Sequence, residues 1–362
     1  MICFVGQEEM IMINPFHKIE LQRSVDIYLD DGIIANLADI IRAKTATENI
    51  VIVTDDNVVD LYGSIIEKNL IAGGYNTNIA VIKAGEKSKN INTVLELYKV
   101  FNGINIGRKD LIIALGGGVV GDTAGFAAAT YMRGIPYMQV PTTLLAMIDS
   151  SIGGKTGIDL PFGKNLAGAF YQPEAIIIDP NLIVTLPEKV LNDGIAEGLK
   201  YGLIRDKWIF DTLSRGFSRD ELAEMIRRSV KIKADIVEKD EKESNLRMIL
   251  NYGHTFGHAI EKCYNYKDIT HGAAISAGMV IAAKIGEQLN VTRMGLNLEI
   301  MQILNKYGLP TKAGVKKSQL INAIKSDKKR NGDKINFVLI NDIGQAEIKV
   351  ISIKGLGEFD YE

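Results

Sequence analysis

Between residues 50 and 180 short β-branched runs alternate with helical patterns, and that order admits few folds. Ile50-Val51-Ile52-Val53-Thr54-Asp55 reads as a buried strand ending at a polar edge. A helix pattern follows from about Val58 and stops at Gly73-Gly74, a helix-terminating pair. Ile79–Ile82, Leu111–Leu115, Ile135–Val140 and Ala175–Ile178 read as further strands, with helices over Thr93–Phe101 and Val119–Tyr131. Strands separated by helices pair in parallel, so the expectation is an α/β sheet. Such sheets bind ligands at the carboxyl ends of their strands. There the chain places Asp55, Asn57 and the run Gly116-Gly117-Gly118.

After Asp179-Pro180 the pattern becomes mainly helical, over Pro187–Gly202, about Arg219–Lys239, Met248–Tyr264, Ala273–Leu289 and Asn297–Lys306. A short β-pair, Ile335–Ile340 with Glu347–Ile351, closes the chain. We therefore expect an α/β domain over residues 1–180, a mainly helical domain over 181–362 and a site in the cleft between them. Formal net charge is −2, so no basic field points to nucleic acid or an anionic membrane. The longest stretches without charged residues, Gly134–Ile148 and Ile269–Ala283, have 15 residues each, too few to span a bilayer. Acids in MICFVGQEEM oppose a secretory signal, and Cys3 and Cys263 lack CxxC spacing, so the chain reads as cytoplasmic.

Three constellations carry chemistry. His254, His258 and His271, three of only four histidines, fall within 18 residues. His254 and His258 share a helix face at i,i+4, and His271 opens the next helix. Neutral imidazoles with one carboxylate suit a zinc-like ion, and Glu197 lies in an otherwise apolar helical run. An HxxxH pair also arises by chance. Second, Gly116-Gly117-Gly118-Val119-Val120-Gly121-Asp122 lets backbone N–H groups approach a phosphate at a helix N-terminus, or is a plain turn; it is neither GxGxxG nor Walker A. Asp55 and Asn57 could meet a ribose or cap a helix. Third, Asp149 to Thr156, with Lys155, and Gly163-Lys164-Asn165 read as loops whose ammonium groups suit a compact anion. Arg133 and Arg247 could add bidentate recognition. Residues 311–334 hold eight Lys/Arg against two acids, either a lid over an anion or a solvated basic face.

With those residues named, the chain resembles the 3-dehydroquinate synthase family over nearly its whole length. The shared motifs are GGGVVGDTAGFAAATYMRGI, VPTTLLAMIDSSIGGKTGIDLP with GKNLAGAFYQP, LRMILNYGHTFGHAIE, the HG of His271 and a late DKK. The resemblance implies a Rossmann-like NAD-binding domain followed by a mainly helical domain, cytoplasmic and homodimeric. It implies a divalent metal, Zn2+ or Co2+, on Glu197, His254 and His271, with His258 an active-site residue rather than a ligand. NAD would meet Asp55, Asn57, Glu86, Lys89, Gly116, Gly117, Gly118, Val119, Asp122, Thr142, Thr143, Lys155, Lys164, Leu182, Thr185 and Leu186. Substrate would meet Asp149, Lys155, Lys164, Asn165, Lys200, Lys233, Arg247, Asn251, His258 and one of Lys328 or Lys329. Arg133 resembles the family arginine that reaches the neighbouring subunit's phosphate site.

The implied reaction converts 3-deoxy-D-arabino-heptulosonate 7-phosphate to 3-dehydroquinate and phosphate. It proceeds by NAD-mediated transient oxidation, phosphate elimination, re-reduction and intramolecular aldol closure. Three positions depart from the family pattern: Val190 replaces an acid, Gly198 a branched apolar residue and Asn245 a glycine. Another sugar-phosphate cyclase, a metal-dependent alcohol dehydrogenase of similar fold and a non-catalytic NAD or metal sensor are the competing readings.

Overall fold

The computed structural model describes residues 14–20, 24–327 and 332–360. Its strands are β1 (His17–Ile19), β2 (Val25–Leu29), β3 (Asn49–Asp55), β4 (Asn76–Ile82), β5 (Leu111–Gly116), β6 (Tyr137–Pro141), β7 (Lys155–Leu160), β8 (Gly163–Phe170), β9 (Ala175–Ile178), β10 (Lys334–Asp342) and β11 (Gln345–Ser352). The helices of the first half are α1 (Leu37–Lys44), α2 (Ser64–Ala72), α3 (Ile91–Gly103) and α4 (Gly118–Thr130). Those of the second are α5 (Glu188–Ile204), α6 (Lys207–Arg215), α7 (Arg219–Lys239), α8 (His254–Cys263), α9 (His271–Gln288), α10 (Leu296–Lys306), α11 (Lys317–Asp327) and α12 (Ile353–Leu356).

The main sheet runs β1-β2-β9-β6-β5-β3-β4 and is parallel except for the β1–β2 pair. Period-2 alternation sends each central strand into two cores. Val51, Val53, Ile112 and Ala114 pack on Val94 and Phe101 of α3 and Ala124 of α4. Ile50, Ile52, Ile113 and Leu115 face a second core that continues into the helical half through Ile195, Leu199, Phe256 and Ile275. From β3 the chain steps outward to β4, then returns to β5 on the other side of β3. The direction of winding reverses there, so the crevice opens at the ends of β3 and β5, beside Asp55 and Gly116.

Several elements differ from the sequence reading. β2 went unread because Asp26 interrupts its apolar run; the Lys44 ammonium pairs with that carboxylate. Lys155–Leu160 and Gly163–Phe170 form an antiparallel hairpin, not loops. Its alternation is hidden by Gly157 and Gly168, which face each other; a Cβ on Gly157 would lie 2.8 Å from the Ala167 carbonyl oxygen. The helix expected over Met248–Tyr264 is broken into a 3-10 turn, Leu246–Asn251, and α8. Gly253 causes the break, with φ at 79°, in the left-handed region that favours glycine.

Candidate active site

That break makes His254 the first residue of α8. Its Nδ1 lies 3.1 Å from the Tyr252 carbonyl oxygen, which fixes the ring and leaves Nε2 facing Glu197, 3.6 Å from Oε1. His271 is the first residue of α9, its Nε2 3.4 Å from the same oxygen. The two helices meet along glycines: a Cβ on Gly278 would collide with the Gly253 carbonyl oxygen, and one on Gly257 would lie 3.2 Å from Ile275 Cα. At the start of α9 the Thr270 hydroxyl donates to Asp193 Oδ1 at 2.5 Å, one turn before Glu197 on α5. Glu197, His254 and His271 thus bring their ligand atoms within 4.8 Å of one another. His258 stands outside that triad, on the exposed face of α8, its ring 5.4 Å from that of His254.

Glu197 is wholly buried, yet neither carboxylate oxygen accepts a well-formed hydrogen bond, although the Lys200 ammonium lies beside Oε2. An anion left with unfilled lone pairs between two imidazoles is a donor set that fits a divalent cation. Burial opposes charge on Glu197, but Lys200 and the two histidines hold it at about 2. Burial, with Lys200 and the other histidines, pushes His254 down to about 3, so this imidazole is neutral. Burial opposes charge on His271 too, but Glu197 and Glu261 on either side push it up to about 10.

Asp149 joins this triad to the glycine loop. It lies in a π-type turn, Ala146–Ser150, whose Ser150 hydroxyl covers Gly118. Its carboxylate accepts from the Tyr201 hydroxyl at 2.8 Å and Lys233 at 2.7 Å, and Lys200 lies 3.7 Å away. Burial opposes the charge, but the two lysines hold Asp149 well below the carboxylate range. Lys233 also donates to the Asp149 carbonyl at 2.5 Å; burial pushes it down to about 8, with Arg247 and Lys200 adding repulsion. Arg247 is 3% exposed and donates to the backbone carbonyls of Glu241, at 2.5 Å, and Gly153.

Two carboxylates that sequence reasoning missed organise this region. Asp240 accepts from the backbone N–H groups of Ser244, Asn245 and Arg247, shaping the turn that presents Arg247. Glu243 accepts from Asn251 at 2.6 Å and pairs with Lys155. Both lie in the charged run DEKE, which by composition alone resembles a solvated surface.

Beyond the ends of β5 and β6, Thr142 has a buried hydroxyl with no hydrogen-bond partner, and its N–H donates to the Gly116 carbonyl at 3.0 Å. Gly117 and Gly118 lie under Thr143 and Ser150, while Gly116 and Gly121 are packed on Val120 and Gln139. A side chain thus closes over each of the four, most tightly over Gly116 and Gly121. Val119 follows in the first turn of α4, and Lys89 pairs with Asp122 at 2.5 Å. Asp55 caps the turn that follows β3, accepting from Asn57 and Val58 N–H at 2.9 and 3.0 Å. Leu182 and Thr185 are tied to that turn by the Tyr62 hydroxyl, with Leu186 just beyond. Lys164 pairs with Glu86 at 3.1 Å, and Asn165, beside it on β8, has φ at 53°.

Arg133 stands apart. It is exposed, with φ at 69°, beyond the far end of α4 from the glycine loop. A 13-residue helix is about 20 Å long, so Arg133 is remote from its own loop. Lys328 and Lys329 lie outside the described residues. Of the departures, Met225 fills the space beside Gly198, its sulfur 3.2 Å from where a Cβ would stand. Asn245 contributes its N–H to Asp240. Val190 lies exposed in the first turn of α5, and nothing in the structure accounts for the lost acid.

Residues 79–193 match the family model for the N-terminal part of 3-dehydroquinate synthase, and residues 194–330 the model for its C-terminal part. The chain is 43% identical to the 3-dehydroquinate synthase of Clostridium kluyveri over 92% of its own length and 94% of that protein's. It is 46% identical to that of Clostridium acetobutylicum over 92% and 95%. Among solved structures, a 2-deoxy-scyllo-inosose synthase with carbaglucose-6-phosphate, NAD+ and Co2+ superposes with TM-score 0.84 at 26% identity, covering 94% of this chain and 98% of that one. A 2-epi-5-epi-valiolone synthase from Streptomyces hygroscopicus with NAD+ and Zn2+ gives 0.83 at 26% identity, covering 94% and 96%. An iron-containing alcohol dehydrogenase at 14% identity, TM-score 0.62 over 92% and 95%, shares the fold.

Proposed function

The chain belongs to the 3-dehydroquinate synthase family, and we infer that it is a phosphorus–oxygen lyase. It converts 3-deoxy-D-arabino-heptulosonate 7-phosphate to 3-dehydroquinate and phosphate, a step of the shikimate pathway to aromatic amino acids. One observation carries the placement of that chemistry. Asp149 and its neighbour Ser150 touch both the glycine loop, at Gly118, and Lys200 beside the buried Glu197. Nucleotide crevice and metal triad therefore share one wall.

Glu197, His254 and His271 would hold a divalent ion, Zn2+ or Co2+, and the loop Gly116–Asp122 with Thr142 and Thr143 would hold NAD. When bound, NAD supplies reversible hydride exchange and the ion supplies a Lewis acid for a substrate oxygen. The chain's own groups bind and orient. Lys233 and Lys164 offer point charges to the phosphate, and Arg247 a planar fork to the carboxylate. Asp149 holds Lys200 and Lys233 at fixed positions, so the cations are in place before the anion arrives. Glu243 releases Lys155 and Asn251 when substrate takes them up. His258, exposed beside the triad, can exchange a proton with the substrate.

The homodimer is what the family resemblance implies for Arg133, and its exposure beyond the far end of α4 supports that reading. A phosphorylated substrate of this kind supports the reading of a cytoplasmic enzyme. The test is phosphate release from the heptulosonate phosphate with catalytic NAD and added zinc or cobalt. Phosphate should form without net NADH. Stoichiometric NADH would mean a dehydrogenase, and turnover of a phosphosugar lacking the carboxylate would mean another cyclase. Mixing R133A with a Glu197→Gln protein should restore activity if the arginine serves the partner.

A further inference from the structure

The outer face of His271 has a partner of its own. While Nε2 looks toward Glu197, Nδ1 lies 3.6 Å from Glu261 Oε1. Glu261 sits on α8 and is 3% exposed. Its Oε1 also accepts from Lys164 Nζ at 3.2 Å, and Lys164 reaches Glu86 at 3.1 Å from the opposite side. Tyr266 lies under the same ammonium, 5.3 Å from ring centroid to Nζ. A continuous line of charge thus runs Glu197, His271, Glu261, Lys164, Glu86, crossing from the helical half to the α/β half.

His258, Glu261 and His271 also approach closely enough to hold an ion themselves. Glu261 Oε1 already faces His271 Nδ1 and accepts from Lys164 Nζ, so an ion there would compete with both. An outer partner for a ligating imidazole is the better description: a carboxylate at Nδ1 fixes the tautomer and ring plane that aim Nε2 at the metal.

We propose that Glu261 is a positioning residue that orients His271 for the divalent ion and couples that ligand, through Lys164, to Glu86 on the nucleotide side. This rests on Glu197, His254 and His271 being the ion's ligands. The test strips the full-length protein with chelator and measures Zn2+ affinity by competition with a chromophoric chelator. Wild type, H254A, E261A, E261Q, K164M and E261A/K164M are compared, with thermal melts of the metal-free proteins alongside.

H254A should lose at least about 100-fold in affinity, and E261A about 10–100-fold. E261Q, which keeps an acceptor for Nδ1–H, should stay within about fivefold of wild type. K164M should weaken binding about threefold, and that effect should vanish in the E261A background. Wild-type affinity in E261A, with H254A impaired, would overturn the proposal and spare the ligand assignment. Unchanged affinity in H254A would overturn the assignment instead. Equal losses in E261A and E261Q with matching drops in melting temperature would reduce Glu261 to a structural residue. A K164M effect that persists without Glu261 would break the coupling.

Discussion

Lys233 is the residue whose environment most clearly sets a working range. Burial with Arg247 and Lys200 nearby brings it down to about 8, so it is charged at pH 7 and loses its proton as pH rises through that value. The charged fraction then falls about fivefold between pH 8 and pH 9. The KM for phosphorylated substrate should rise by a similar factor over that interval, with kcat changing less. Arginine stays protonated there, so K233R should flatten the rise; a profile parallel to wild type would assign the titration to another group. Arg247 makes a contrasting prediction. R247A should raise substrate KM about 10–100-fold while NAD affinity stays within about twofold, because a charged hydrogen-bonding partner is lost on one ligand only. Comparable losses for both would place the guanidinium on the cofactor side. Arg247 was legible in the sequence as a candidate for bidentate recognition, whereas Lys233, in the helical run Lys231-Ile232-Lys233, came only with the family resemblance. Asp240, Glu243 and Glu261 were not legible, because an acid among acids and lysines looks solvated until the fold buries it.

At the scale of elements, the metal triad depends on how closely α8 and α9 approach. The sequence showed two imidazoles one turn apart and a third opening the next helix. The resemblance assigned His254 rather than His258 to the ion, but spacing alone did not show that a 3-10 turn ends at Asn251 and that α8 starts only after Gly253. Those facts depend on a glycine seam between two helices, and the spacing of glycines along one helix does not name its partner. G278A tests the seam. A methyl there meets the Gly253 carbonyl oxygen, and overpacking of this kind costs about 1–3 kcal/mol. His254 would move away from His271, so Zn2+ affinity should fall at least about tenfold, more than stability alone explains. Calorimetry and chelator competition on one sample separate the two effects, and native affinity in a destabilised G278A would show that the triad tolerates the shift. The β7–β8 hairpin teaches the same lesson. Its glycine pair hid the strands, and the structure puts Lys155 and Lys164 on paired strands.

For the whole molecule, two compositional halves share one interior. The α/β alternation before residue 180 and the helical patterns after it were both legible. The continuity of the core between them was not, since no local pattern records which faces meet. Ile50, Ile113 and Leu115 of the sheet lie in one cluster with Ile195, Leu199 and Phe256 of the helical half. Unfolding either half alone would expose that apolar face to water at about 25 cal/mol per Å2, so neither should melt independently. The single tryptophan, Trp208, gives the means to check this. It lies on α6, with the Arg228 guanidinium 4.5 Å from its ring, and reports on the helical half alone. Far-UV circular dichroism reports on both halves. In urea, at fixed protein concentration and without ligands, the two signals should follow one transition with a common midpoint. A fluorescence change completed while much of the ellipticity remains would mean that the helical half unfolds first and that the shared core is too weak to bind the halves into one cooperative unit.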